Sequence, residues 1–197
     1  MNTITIPYKP RELQQEVHKK LQRFNVLVCH RRFGKTVLTV NELIKQCLQC
    51  KLPRPRYYYI APTYSMAKRI AWDYLKYYTS VLPNMDYHET ELRAELPNGG
   101  RIQLLGCERP QTLKGLYIDG VVLDEVAQMP PKMWTEVIRP ALSDREGFMI
   151  AIGTPAGHNA FFDLYNHGKH NETWFTAKFK ASETKVVKEE ELEEAKK

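Results

Sequence analysis

Val26–Thr36 reads VLVCHRRFGKT, and the reading of this stretch decides the fold. Val26, Leu27, Val28 and Cys29 make a short apolar run of the kind that forms a buried β-strand. The run breaks into a basic turn, His30-Arg31-Arg32-Phe33, and Gly34-Lys35-Thr36 then opens a helix. Strand, loop, Gly-Lys-Thr and helix, in that order, are the P-loop arrangement. Gly34 lets the backbone come close to a phosphate. The amides of Arg31, Arg32 and Phe33, with the positive end of the helix, hold the anion. Lys35 would place a point charge on the β- and γ-phosphates of ATP, and the Thr36 hydroxyl would ligate Mg²⁺. Two features depart from the pattern. Cys29 stands where the first glycine usually does, and two arginines occupy a loop in which small residues are commoner. A strand running into a basic surface turn would also read Gly-Lys-Thr, so the rest of the chain has to decide.

The deciding partner is Gly120-Val121-Val122-Leu123-Asp124-Glu125. Apolar residues ending in Asp-Glu are the Walker B pattern. Asp124 would orient the Mg²⁺ and its waters, and Glu125 would activate the attacking water as general base. Acidic residues are common at strand ends, and that explains one motif well. It does not explain two motifs in the right order, each at the carboxyl end of a buried strand, the edge where open α/β sheets bind ligands. A third element, Ile152-Gly153-Thr154-Pro155, ends another strand soon after. Thr154 there is a candidate sensor of the γ-phosphate. The spacing between Lys35 and Asp124 leaves room for the unit Tyr57–Tyr78 and a strand near Arg101–Leu105. That favours the ATPases with an extra strand between the two Walker strands and a carboxylate base.

The chain has 197 residues, 43% hydrophobic and 26% charged, which fits one folded domain with a real core. Its net charge of +6 favours a polyanionic partner only weakly. Met1–Pro10 lacks the apolar centre of a secretory signal, and no apolar run approaches a membrane span. Cys47 and Cys50 form a lone Cys-x-x-Cys in a helical pattern; without a second pair, buried or incidental thiols are the expectation for all four cysteines.

Periodicity predicts helices over Arg11–Phe24, Val37–Gln49, Ser65–Tyr78, Pro131–Ile138 and Asn159–Tyr165, the fourth stopped by Pro140. Strands are expected at Tyr57–Ala61, within Tyr87–Leu96, and at Arg101–Leu105, Val121–Leu123, Phe148–Ile152 and Trp174–Phe179, with a charged helix over Lys185–Lys197. In the third helix Ile70, Tyr74 and Tyr77/Tyr78 make the core stripe. The alternation means an α/β fold with a mainly parallel central sheet flanked by helices, and the two Walker motifs on it make the expected class a P-loop NTPase of the RecA/ASCE-like type. The chain stops inside its charged helix, so a longer parent protein is expected.

At these residues the sequence resembles the ATPase domain of the large terminase subunit of tailed bacteriophages. The carriers are Cys29–Thr36, which is similar to an arginine-bearing Walker A; Ile60-Ala61-Pro62-Thr63-Tyr64 with Ala67–Trp72; Val122-Leu123-Asp124-Glu125; and Ile152-Gly153-Thr154-Pro155. The resemblance implies an ATP- and Mg²⁺-dependent motor that translocates double-stranded DNA into a procapsid in the host cytoplasm. Its partners would be a homo-oligomeric ring, the portal protein and the small terminase subunit. It places Arg32 beside Lys35 in the catalytic set, and the adenine near Gln14 and Arg11; a polar, solvated helix face explains those two residues nearly as well. It also implies a trans-acting basic finger before the Walker B strand. Here that position is Lys114, before Gly115, and Arg109, Arg139 or Arg145 are substitutes. Residues 1–180 would be the ATPase domain, and 181–197 the start of a helix leading to a nuclease domain beyond Lys197. A helicase-like DNA-dependent ATPase shares the Walker elements, and a nucleotide-binding module without turnover is the third reading.

Overall fold

The computed structural model describes residues 4–184. Eight strands form one sheet: β1 Phe24–Cys29, β2 Arg56–Ala61, β3 Asp86–His88, β4 Arg93–Glu95, β5 Arg101–Gly106, β6 Gly120–Asp124, β7 Phe148–Gly153 and β8 Trp174–Phe179. Their order across the sheet is β3-β4-β5-β2-β6-β7-β1-β8. All pairs are parallel except β3–β4 and β4–β5 at one edge. The expected α/β fold with a mainly parallel sheet is therefore present. The strand standing between the Walker strands is β7, which ends just before Thr154; β2 lies outside β6, and β5 beyond it.

Strand alternation divides the core in two. Leu27, Cys29, Tyr57, Tyr59, Val122, Ile150 and Ile152 face one layer. That layer holds α1 (Glu12–Lys20), α2 (Lys35–Gln49) and the helical stretch 64–79. Val26, Val28, Tyr58, Ile60, Val121, Leu123, Met149 and Ala151 face the other, with the stretch 133–141 and the helix Ala160–Lys169. Central strands buried on both faces read as unbroken apolar runs, which is why β1, β6 and β7 stood out in the sequence.

Four helices differ from expectation. The first ends at Lys20, because the chain must turn at Leu21 (ψ 136°) to bring Phe24 into β1. The stretch 64–79 contains a π-helical segment, Lys68–Trp72, between Tyr64–Ala67 and Asp73–Thr79. Its wider turn rotates the helix face. Ala71, Trp72, Leu75 and Tyr78 are buried, whereas Tyr74 is 43% and Tyr77 59% exposed, so the core stripe is not the expected one. Pro140 does not stop the fourth helix. A π-helical segment, Met133–Ile138, precedes it, and the helix runs on as Arg139–Ala141. A wide turn relieves the clash of a proline ring with the carbonyl four residues back. The helix at Ala160–Lys169 is longer than expected and starts where the Asn159 side chain accepts bonds from the Phe161 and Phe162 amides.

None of the four cysteines is bonded to another. Burial pushes the Cys29 thiol up to about 12 against the pull of Lys35, so this stand-in for glycine is an inert strand residue. Among the described residues no helix is long and apolar enough to cross a membrane. The charged helix expected over Lys185–Lys197 lies outside the described residues; a helical turn, Ala181–Thr184, precedes it.

Candidate nucleotide site

The P-loop leaves β1 and must turn sharply into α2. Arg32 (φ 68°) and Gly34 (φ 84°) both take left-handed backbone, a conformation that only glycine adopts without strain. A Cβ on Gly34 would also meet the Gln14 amide nitrogen at 2.8 Å and the Arg11 guanidinium at 2.9 Å. Phe33 does not reach toward a ligand through its ring. The ring is 2% exposed and stacks on Phe179 of β8, with centroids 4.6 Å apart. It pins the loop to the sheet while its carbonyl accepts a bond from Arg11.

Gln14 has both ends of its amide engaged. Its oxygen accepts from the Arg11 backbone at 3.0 Å, and its nitrogen donates to the Phe33 and Gly34 carbonyls at 3.4 and 3.3 Å. At 4% exposed it is not part of a solvated face. Arg11 and Gln14 act as struts under the P-loop, a role that helical periodicity could not reveal.

Around the loop lies an open cleft of about 210 Å³, lined by His30, Arg32, Gly34, Lys35, Thr36 and Tyr74, among others. Arg32 borders it; Arg31 is exposed and does not. Tyr74 is the residue that sequence reasoning missed, because the π turn brings to the cleft a ring assigned to the core. A larger hollow of about 550 Å³ lies elsewhere, against Met129, Met133, Trp134 and Leu164. No lysine or arginine lines it, so it lacks what a polyphosphate needs.

Beside the P-loop, β6 ends in Asp124, and Glu125 follows with left-handed backbone (φ 51°). A non-glycine residue held there stores strain of about 1–3 kcal/mol. The kink keeps Glu125 near Asp124, where continued strand geometry would send the two neighbouring carboxylates to opposite faces. Glu125 Oε1 lies 3.2 Å from Lys35 Nζ, both side chains largely buried. The Thr154 amide and hydroxyl donate to Glu125 Oε2 at 3.4 and 3.3 Å. Thus Lys35 after β1, Thr154 after β7 and Glu125 after β6 converge at the carboxyl ends of three adjacent strands.

Asp124 is 2% exposed. Its Oδ2 accepts from the Tyr59 hydroxyl at 2.5 Å; its Oδ1 is buried with no partner. A buried acceptor left unmatched costs about 1–3 kcal/mol, so this oxygen is built to receive something. Burial pushes the Asp124 carboxyl up to about 6, with Glu125 adding to the rise while Tyr59 and Lys35 oppose it. Among the described residues no three acidic, histidine or cysteine side chains gather as a metal cage. Mg²⁺ needs none, since it is held by one or two carboxylates together with substrate phosphates. An orphaned carboxylate oxygen fits that donor set, and the Thr36 hydroxyl lies beside the same Tyr59 that bonds Asp124.

The candidates for a trans finger divide. Lys114 and Arg109 are exposed in the segment between β5 and β6. Arg139 and Arg145 are engaged at the opposite edge of the sheet. Arg139 lies over the ring of Phe24 at the start of β1, and Arg145 pairs with buried Asp119 at 2.6 Å just before β6. Neither is a ready substitute for Lys114.

No family model matches the chain. It is 27% identical over 180 residues to the curated "Terminase, large subunit" of Thermus phage G20c, and equally to that of Thermus virus P23-45. In each case the match covers 82% of this chain and 37% of the relative, so the chain spans well under half their length. Among solved structures, an arginine-to-alanine variant of the large terminase ATPase domain of Thermus phage P74-26 superposes with a TM-score of 0.81 at 22% identity, covering 97% of this chain and 89% of that one. The large terminase of another thermophilic bacteriophage, solved in complex with ADP, gives 0.72 at 14% identity over 89% of this chain and 44% of that one. These superpositions establish the fold. The resemblance read from the motifs stands: the chain is similar in sequence to large terminase subunits, and in fold to their ATPase domains.

Proposed function

We propose that this chain is the ATP-hydrolysing motor domain of a large terminase subunit, acting in a machine that drives double-stranded DNA into a procapsid. The observation that carries the reading is the convergence of Lys35, Glu125 and Thr154 on one sheet edge, beside the unmatched oxygen of Asp124. The triphosphate would lie on the amides of the P-loop, with Arg32 at its border. Lys35 would leave Glu125 for the β- and γ-phosphates. Glu125, released, would take the proton of the attacking water. Thr154, bonded to that same carboxylate, would register the change when phosphate leaves. Thr36 and Asp124 would hold Mg²⁺, which when bound neutralises charge developing on the phosphates.

Residues 1–180 are taken as the ATPase unit and 181–197 as the start of its connection to a nuclease domain. Assembly into a ring would let exposed Lys114 or Arg109 serve a neighbour's site. Portal protein and small terminase subunit are the partners this role requires, and the host cytoplasm its place.

The decisive binding experiment uses a fluorescent ATP analogue with Mg²⁺. Lys35→Ala is expected to weaken binding at least tenfold without unfolding the protein, since an amine on the phosphates is lost. Undiminished affinity in that variant would remove the phosphates from this loop. Tyr74 supplies a second test. A base stacked on an exposed ring gains about 1–3 kcal/mol. Tyr74→Ala should therefore weaken ATP about tenfold and leave tripolyphosphate competition unchanged; equal losses for both ligands would place the base elsewhere.

A further inference from the structure

Three consecutive tyrosines form the middle of β2, and they do different work. Tyr58 faces the second core layer. The Tyr57 hydroxyl donates to the Gln46 carbonyl near the end of α2, at 3.1 Å. Tyr59 is fully buried, and its hydroxyl ends between the P-loop helix and the tip of β6. It donates to Asp124 Oδ2 at 2.5 Å, and the Thr36 hydroxyl lies beside it.

This places one phenol behind both oxygens that the proposed function assigns to Mg²⁺. A threonine hydroxyl has one proton and two lone pairs. With that proton turned toward Tyr59, the lone pairs of Thr36 would be left for another partner. A carboxylate offers two oxygens, and with Oδ2 fixed by Tyr59, Oδ1 remains; it is the atom found buried and unmatched. Phenylalanine would fill the same space in the core without the bond to Asp124. The hydroxyl is thus superfluous for packing, and it sits where burial makes an unpaired polar group costly.

We propose that Tyr59 is a positioning residue for the cation, its hydroxyl fixing the Asp124 carboxylate beside the Thr36 hydroxyl. The inference rests on the nucleotide reading above. Groups that orient metal ligands in this way change metal affinity by about 10–100-fold when removed.

The test uses Mn²⁺ as the probe, titrated by electron paramagnetic resonance into the full chain saturated with ATPγS. Tyr59→Phe is expected to bind Mn²⁺ at least tenfold more weakly, while its affinity for ATPγS in EDTA stays within twofold of wild type. Replacement of Tyr59 by 3-fluorotyrosine, which keeps the hydroxyl, is expected to keep Mn²⁺ affinity within twofold of wild type. Unchanged Mn²⁺ affinity in folded Tyr59→Phe overturns the inference. So does an equal loss of metal-free ATPγS binding, which would mark a purely structural role. Should Tyr59→Phe not fold, the ¹⁹F resonance of the fluorotyrosine protein decides: it must shift when Mg²⁺ joins the ATPγS complex, and an unmoved resonance overturns the inference. If wild type binds no ATPγS at all, the proposed function fails along with it. If wild type binds both ATPγS and Mn²⁺ and Tyr59→Phe does likewise, only the role of Tyr59 fails.

Discussion

Glu125→Gln is expected to lower ATP turnover in the assembled protein by about 10²–10⁴-fold, the range for loss of a positioned general base. Glutamine keeps the size of the side chain and an oxygen for Thr154 to donate to, so the local geometry survives. What disappears is the capacity to take a proton and the charge facing Lys35 at 3.2 Å. ATP affinity should therefore hold or tighten slightly, because Lys35 no longer has to be drawn away from a carboxylate before it meets a phosphate. Single-turnover phosphate release measured beside filter binding separates the two effects. Wild-type turnover in Glu125→Gln would end the mechanism. A protein built to bind nucleotide without hydrolysis would show no release in either form, even when assembled on DNA, and that outcome would favour the binding-module reading.

Much of this arrangement could be read from the chain because its strongest signals are local. An apolar run ending in a loop with Gly-Lys-Thr, and another ending in Asp-Glu, need no knowledge of the rest of the molecule. Lys35, Glu125 and Thr154 do meet. Sheet order was harder to see. Parallel neighbours are joined by crossovers, so which strand lies beside which depends on where each connecting helix packs, and no short stretch encodes it. Hence β7, late in the chain, stands between β6 and β1. The phase of the stretch 64–79 was lost for a different reason. Its π turn changes the period in mid-helix, so a uniform 3.6-residue template assigns Tyr74 to the core and misses its place at the cleft. Gln14 was invisible in a third way. An amide can face a base, water or a backbone carbonyl, and only the fold shows that two carbonyls of the P-loop came first. Tyr59 combines these difficulties, being one of three adjacent tyrosines, and its hydroxyl and that of Tyr57 have unrelated destinations.

Asp124→Asn sets stability against function in one side chain. In the folded protein burial raises the Asp124 carboxyl from 3.8 to about 6, so the native state holds this proton more tightly than the unfolded chain does. Its favourable contribution is then complete below about pH 4 and is lost as pH rises through about 6. Above that, an ionised carboxylate sits buried with one oxygen unmatched. The rise corresponds to about 3 kcal/mol at pH 7.5. Asparagine escapes that penalty but must find partners for its amide, which leaves a net gain of about 1–2 kcal/mol. For a chain of this length each kcal/mol moves Tm by about 2–4 °C. The nucleotide-free variant should therefore melt several degrees above wild type at pH 7.5, with the difference closing as pH falls toward 4. Mg²⁺ with ATPγS should reverse the ranking. Wild type gains stability in proportion to the logarithm of ligand concentration over Kd, whereas the variant, lacking an anionic ligand for the cation, gains little. Calorimetry from pH 4 to 8, with and without Mg²⁺ and ATPγS, reads both limbs. A variant that melts below wild type at pH 7.5 without nucleotide would mean that Asp124 is not strained by its burial. One that still gains the full stabilisation from Mg²⁺ would mean that the unmatched oxygen serves some other partner.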